Sequence, residues 1–272
     1  MKKILFIIIS CISYFMSFSQ STSELIGKAD ELVKTQDFDQ AIAIYSQAIK
    51  LDSTNAEFYY KRGFAYFYAA QYLQALPDFS QASILFPDHP DIYFMKARIE
   101  SLMGDYDAAI YDYAKVIDLD SNYVQAYVHR AYAFLSTKQN TAAFIFFTKA
   151  INKDPNQPAD VYYARGYTYQ ESGAYWQALE DYKKAIELNP DLAGAYQNSG
   201  NCYYALKDYE KALDCYGKSE KLQPEDSTVY YARGFVYLDT GFTEKACEEW
   251  NKALNMGNKY VQKYIDVNCG KK

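Results

Sequence analysis

One recurring alanine sets the period of this chain. Ala41, Ala75, Ala109 and Ala143 stand 34 residues apart, Ala178 follows after 35, and Ala212 and Ala246 resume the spacing of 34. Four residues beyond each comes an aromatic: Tyr45, Phe79, Tyr113, Phe147, Tyr182, Tyr216 and Trp250. Three further on stand Ala48, Ala82, Val116, Ala150, Ala185, Ser219 and Ala253, all small or β-branched. Twelve before each alanine sits Ala29, Gly63, Ala97, Ala131, Gly166, Gly200 or Gly234. A chain with a period in this range is an array of small units, each burying its apolar face against its neighbours, rather than one globule.

Spacings of three, four and seven mark one face of a helix. Each copy holds two such runs, separated by turns such as "SLMGDY", "ESGAY" and "DTGF". The unit is therefore a helical hairpin. A glycine inside a helix costs about 1 kcal/mol against alanine, so a close approach must compensate for it. The expectation is that the small residue of the first helix admits the alanine of the second, with the aromatics filling space on either side.

The fifth copy reads Tyr162, Gly166, Tyr169, Ala178, Tyr182, Ala185, Pro190. This pattern resembles the tetratricopeptide repeat (TPR), and the resemblance runs through seven tandem copies at 22–55, 56–89, 90–123, 124–158, 159–192, 193–226 and 227–260. Pro87, Pro155, Pro190 and Pro224 end second helices, while Ser53, Ser121 and Asn258 replace that proline. Glu100 takes the place of the second aromatic in the third copy. Pro77 falls inside a second helix and is expected to kink it. The resemblance implies an all-α fold: an α-solenoid of fourteen antiparallel helices in a right-handed superhelix, with a short capping helix and tail over 261–272. The extra residue in "DPNQPAD" is expected to alter stacking locally rather than to mark a domain boundary.

The first 20 residues, "MKKILFIIISCISYFMSFSQ", join two lysines to an apolar run and then small residues. They read as a secretory signal over 1–19, with Ser17 and Ser19 at the small-residue positions before Gln20. A second reading takes "IISC" as the lipid-attachment box of bacterial lipoproteins, with Cys11 as the anchor. Against it, "ISYFMSF" after Cys11 stays apolar. A permanent membrane span is weaker still, the run being shorter than the ~20 residues required. The chain is expected to be exported from a bacterial cytoplasm to the periplasm or beyond, with a membrane partner only through Cys11.

Loss of Lys2 and Lys3 leaves 26 basic against 34 acidic residues. That surface lacks the basic footprint of nucleic-acid binding. Cys202, Cys215, Cys247 and Cys269 remain. Export permits pairing, and four cysteines allow three connectivities that sequence does not choose between. Cys247 with Cys269 is the preferred pair, pinning the tail to the last repeat; buried free thiols are the alternative. No zinc-type spacing appears. His89 and His129 are the two histidines, and neither sits with a nucleophile, a phosphate-binding loop or a metal-ligand set. No cofactor and no enzymatic activity are expected.

A basic residue stands just before the small position at Lys28, Arg62, Lys96, Arg130, Arg165 and Arg233. Sixteen residues later come Asp78, Asp112, Asp181 and Glu249 in four of those copies. The sixth copy, with Ser199 and Cys215, lacks both charges together. This predicts an ion pair between the two helices of a copy, of about 0–1 kcal/mol if partly exposed.

In the TPR family, one side of the first helix faces the hollow of the stack. The matching positions here are Tyr60, Phe64 and Phe67; Phe94; Val128, Tyr132 and Leu135; Tyr163 and Tyr167; Tyr204; and Tyr231, Phe235 and Leu238. Tyrosine suits contact, pairing a broad apolar face with a hydroxyl. The alternative is that these rings pack on the next repeat. The basic residues and asparagines with which the family's best-known members grip a C-terminal carboxylate are not matched: Ile26, Asp30 and Lys61 stand in the first copies, and Asn198 and Asn201 in the sixth lack basic partners. The expected function is a non-enzymatic scaffold that holds a protein or peptide segment by aromatic contact and amide hydrogen bonds. Tyr163 and Tyr167 are expected to be dispensable for folding. Two alternatives stand beside it: an envelope assembly factor lipid-anchored at Cys11, and a carrier of an apolar or glycan ligand on the tyrosines.

Overall fold

The computed structural model describes residues 22–270, so the leader, with Cys11, Ser17, Ser19 and Gln20, lies outside the described residues. Within them there are fifteen α-helices, one 3-10 turn and no strand. In chain order they are α1 (22–34), α2 (Phe38–Leu51), α3 (Ala56–Tyr68), α4 (Tyr72–Leu85), α5 (Pro90–Leu102), α6 (Tyr106–Leu119), α7 (Val124–Ser136) and α8 (Asn140–Lys153). There follow α9 (Ala159–Glu171), α10 (Tyr175–Leu188), α11 (Ala193–Ala205), α12 (Tyr209–Leu222), α13 (Ser227–Asp239) and α14 (Thr243–Asn255). A 3-10 turn (Lys259–Val261) then leads into α15 (Gln262–Asn268).

The hairpin turns share one stereochemistry. Gln36, Ala70, Gly104, Lys138, Gly173, Lys207 and Gly241, one per copy, all have φ between 56° and 85°. A left-handed residue there lets the next N–H reach the carbonyl five back, as in Asp37 to Leu32, Gln71 to Tyr66 and Asp208 to Tyr203. That closes the first helix and turns the chain into the second. Asp37, Asp105 and Asp208 then cap the second helix by accepting from the backbone N–H of Gln40, Ala108 and Lys211.

The chain divides into two compact units between Thr137 and Lys138, inside the fourth copy rather than at the extra residue in 154–158. The N-terminal unit holds the hairpins α1–α2, α3–α4 and α5–α6, and then α7. Its helices pack in chain order, and α5 also touches α7. The C-terminal unit holds α8, the hairpins α9–α10, α11–α12 and α13–α14, and α15. There α11 also touches α9 and α13, so the first helices form a layer of their own.

All seven period aromatics are core. Tyr45, Phe79, Tyr113, Phe147, Tyr182, Tyr216 and Trp250 are each at most 1% exposed, and burying one such side chain stabilises by roughly 1.5–3 kcal/mol. They also revise the reading of the glycines. A methyl group added at Gly63 would stand 3.0 Å from the ring of Phe79, at Gly166 2.8 Å from Tyr182, and at Gly200 2.6 Å from Tyr216. At Gly234 the nearest atom would be the indole nitrogen of Trp250. The glycine makes room for the aromatic ring, not for the alanine four residues before it.

Helix α4 runs through Pro77 without ending. The ring falls in the helix's second turn, and the carbonyl it deprives of an N–H partner belongs to Leu73, which is exposed, so water can serve it. A disulfide joins Cys247 to Cys269 with their Cα atoms 5.7 Å apart. It fastens the end of α15 to α14. Cys202 and Cys215 are free thiols that burial pushes up to about 12 and about 11, which keeps them protonated near neutral pH.

Candidate partner-binding face

Four of the residues that precede the small positions bind the second helix of their own hairpin. Arg62 grips Asp78 through two nitrogens at 2.7 Å, and Arg165 holds Asp181 at 2.7 and 2.8 Å. Lys96 reaches Asp112 at 2.6 Å, and Arg233 reaches Glu249 at 2.6 Å and also Glu220. All four expected pairs are present, but they are not surface pairs. Asp78, Asp112, Asp181 and Glu249 are buried. Burial pushes the Asp78 carboxyl above its usual range, outweighing the Arg62 contact that pulls it down. These side chains serve the hairpin, and their charge is unavailable to a ligand.

In the N-terminal unit the expected rings have one edge in the core and one on the first-helix face. Tyr60 meets Phe79 edge-on at 5.6 Å and Phe64 at 5.3 Å. Phe67 lies under the guanidinium of Arg98, 4.8 Å away. Phe94 stands 4.9 Å from Tyr123 and 5.4 Å from His129. Tyr132 and Leu135 are half-buried on α7, and Val128 is buried. Tyr68, one turn beyond Phe64, is a further ring that the repeat pattern did not single out. It is 56% exposed and stacks on Phe38 at 6.0 Å; the spacing of four from Phe64 was its signal. Lys61 is held by Asp30 at 2.6 Å and Glu57 at 3.5 Å.

The C-terminal unit carries a different chemistry. Tyr163 is half-buried against Tyr182, 5.8 Å between rings, and its hydroxyl accepts from Asn198 Nδ2 at 3.0 Å. Asn201 donates to Asn198 Oδ1 at 3.4 Å and accepts from the Tyr216 hydroxyl at 2.8 Å. The Gln197 amide donates to the Thr228 hydroxyl, and Tyr204 donates to Asp239 at 2.7 Å. Tyr167 is exposed. Helix α11, "AGAYQNSGNCYYA", has no charged residue, while the two arginines of α9 and α13 are engaged by buried carboxylates. Burial raises the hydroxyl pKa values of Tyr163, Tyr167 and Tyr204, reinforced for Tyr204 by its bond to Asp239, so these groups stay protonated near neutral pH.

Two expectations change here. Tyr163 is not a free surface ring: it packs on Tyr182 and accepts from Asn198, so its loss is expected to cost stability. Nor do Tyr231 and Phe235 form an open strip. Tyr264 of α15 covers them, 6.0 and 4.7 Å from their ring centres, and lies 5.6 Å from Trp250. Sequence spacing gave no view of a cap that crosses back over α13. Among the described residues no group of three or more His, Cys, Asp or Glu could hold a metal ion, and no helix is long and apolar enough to cross a membrane.

Tetratricopeptide-repeat patterns match residues 29–68, 60–123, 102–158, 159–192, 181–214 and 200–241. The chain belongs to the tetratricopeptide repeat family. This TPR chain is 28% identical over 248 residues to the human mitochondrial import receptor subunit TOM70, a match covering 88% of the chain and 40% of that protein. It is 34% identical over 99 residues to rat serine/threonine-protein phosphatase 5, covering 36% of the chain and 20% of the enzyme. The chain thus spans well under two thirds of these relatives' length. Among solved structures, the C-terminal part of a TPR repeat-containing protein from Cytophaga hutchinsonii superposes with a TM-score of 0.70 at 20% identity, over 87% of this chain and 97% of that one. YrrB, a TPR protein with an unusual peptide-binding site, gives 0.62 at 22% identity, over 70% and 97%. Both likenesses concern the fold.

Proposed function

We propose that this TPR protein is a non-enzymatic scaffold that binds an extended segment of a protein partner on the first-helix face of its C-terminal unit. The observation that carries the reading is the surface of α9, α11 and α13. It presents an exposed tyrosine, Tyr167, beside a row of side-chain amides, Gln197, Asn198 and Asn201, on a helix without charge. Each amide uses only some of its hydrogen-bonding capacity internally and keeps the rest, so the row is pre-oriented to meet the carbonyls and N–H groups of a passing backbone. With no spare cation there, recognition of a terminal carboxylate is not its task. Members of the family bind protein partners, and YrrB, which shares the fold, has a peptide-binding site.

The chain is further proposed to act outside the bacterial cytoplasm. The leader supports this reading, as does the Cys247–Cys269 disulfide, a bond suited to an oxidising compartment. Mass spectrometry of the mature N-terminus separates a soluble protein beginning near Gln20 from one acylated on Cys11. For binding, a photo-crosslinking benzoylphenylalanine at position 167 is expected to capture a protein from the native envelope. The same group at position 176, where Trp176 is exposed on α10, is expected to capture none. Equal labelling from both positions would contradict the assignment.

A further inference from the structure

In the N-terminal unit a pocket of about 360 Å³ opens where α3, α5 and the loop before α5 meet. Ala56, Tyr60, Phe86, His89 and Ile92 line it together with the charged pair Glu57 and Lys61. The volume sits at the low end of the ~300–1,000 Å³ that small ligands occupy, enough for one ring system with its own backbone and too little for a helix. The loop wall is stiff before anything binds. Pro87 and Pro90 bracket Asp88 and His89, and each fixes its own φ. The imidazole stands 6.0 Å from the Tyr60 ring and 5.2 Å from Phe86. Phe86 is itself 49% exposed while Ile92 forms a buried floor.

The mouth of this apolar slot is acidic. Lys61 is matched by both Asp30 and Glu57, and Asp91 lies 3.9 Å from His89 while accepting from the Tyr123 hydroxyl at 2.8 Å. Two carboxylates thus share the one lysine, and a third, Asp91, stands beside the His89 wall. The Tyr60 hydroxyl is pushed up to about 12, first by burial and then by the charge of Asp91, so that negative charge is felt inside the slot. An anion at the mouth meets like charge, and a cation meets its complement.

Resting on the reading of this chain as a segment-binding scaffold, we propose that the pocket anchors one aromatic side chain of the bound partner, flanked directly by a lysine or arginine. The ring enters between Tyr60, Phe86 and His89, where edge-to-face contacts suit it. The flanking cation stays at the mouth with Glu57 and Asp91. Buried aromatic anchors of this kind carry much of an interface's energy.

The test uses three capped dipeptides, N-acetyl-Trp-Lys-amide, N-acetyl-Trp-Glu-amide and N-acetyl-Ala-Lys-amide, titrated into the isotope-labelled full chain and followed by NMR. Saturable shifts at Tyr60, His89 and Ile92 are expected with Trp-Lys, and at least tenfold weaker binding of the other two. Glu57→Lys is expected to invert the preference between Trp-Lys and Trp-Glu, and Phe86→Ser to weaken Trp-Lys about tenfold. Both replaced side chains are exposed, so the fold is retained. Absence of saturation, shifts centred elsewhere, equal binding of all three probes, or indifference to both substitutions overturns the proposal. The dipeptides are too short to need the C-terminal face. Failure here with successful crosslinking at position 167 removes the anchor alone, and the reverse removes the segment-binding reading.

Discussion

Gly234 and Trp250 are in such close contact that a single added methyl group at Gly234 would collide with the indole nitrogen. That nitrogen also donates to the Tyr231 carbonyl at 3.2 Å, so the ring is tethered and cannot swing aside. Gly234→Ala is therefore expected to destabilise the protein by about 1–3 kcal/mol through overpacking, despite alanine's better helix propensity. Gly217→Ala in α12, where nothing lies within 4 Å of the added atom, is expected to stabilise by up to ~1 kcal/mol. Paired urea titrations read both signs.

The Arg165–Asp181 pair is predicted to matter more than a surface pair. Arg165→Met leaves Asp181, 5% exposed, without its counter-charge. A loss of about 3 kcal/mol is expected. Asp181→Asn, which removes the buried charge and keeps a hydrogen-bonding group, is expected to lose less. Chemical denaturation of the two variants checks the order.

Glu100 gives the third copy a pH response. It stands where the second, fifth, sixth and seventh copies have Tyr66, Tyr169, Tyr203 and Tyr237. It is 6% exposed and shares Lys96 with Asp112, while its Oε2 has no hydrogen-bond partner. Burial, and then the charge of Asp112, raise its pKa to about 7. The folded state thus holds the proton more tightly than the unfolded one. Stability from this group is full below the ordinary glutamate range and falls as pH rises toward and through 7. Glu100→Gln is expected to gain on the order of 2 kcal/mol at pH 8 and to flatten the profile of melting temperature between pH 5 and 8. An unchanged slope would refute the assignment.

Helix α15 has seven residues, none of them buried, and is too short to persist alone. Ring contacts from Tyr264 and the 22-residue disulfide loop hold it. Cys269→Ser, or reduction, is expected to cost about 3 kcal/mol in the C-terminal unit. Trp250 fluorescence should shift as Tyr264 withdraws, which a reductant titration would follow.

The repeat was legible because its positions recur: Ala178, Tyr182 and Ala185 define a helix face, and the spacing of Arg165 to Asp181 recurs in four copies. What periodicity leaves open is rotation about the helix axis. It puts Ala178 and Tyr182 on one face without saying which of them meets Gly166. The depth of the ion pairs was hidden for a related reason, since the burial of Asp181 depends on how the neighbouring helices close over it. The availability of Tyr163, Tyr231 and Phe235 depended on distant partners, Asn198 lying 35 residues from Tyr163 and Tyr264 lying 33 residues from Tyr231. Such partners have no local signature.

Tyr163 is a poor probe of whether a partner segment lies on the first-helix face of the C-terminal unit, which is the central claim. Its replacement by alanine removes support from Tyr182 and is expected to cost stability as well as binding. Tyr167 and Gln197 are the better pair, lying on that face without filling the core. The direct measurement is the affinity of the segment crosslinked at position 167, titrated calorimetrically against Tyr167→Ala with Gln197→Ala and against Trp176→Ala. The double variant is predicted to bind at least tenfold more weakly, about 1.4 kcal/mol, with its melting temperature nearly unchanged, and Trp176→Ala to bind normally. Undiminished binding by the double variant, with loss in Trp176→Ala, would contradict the claim.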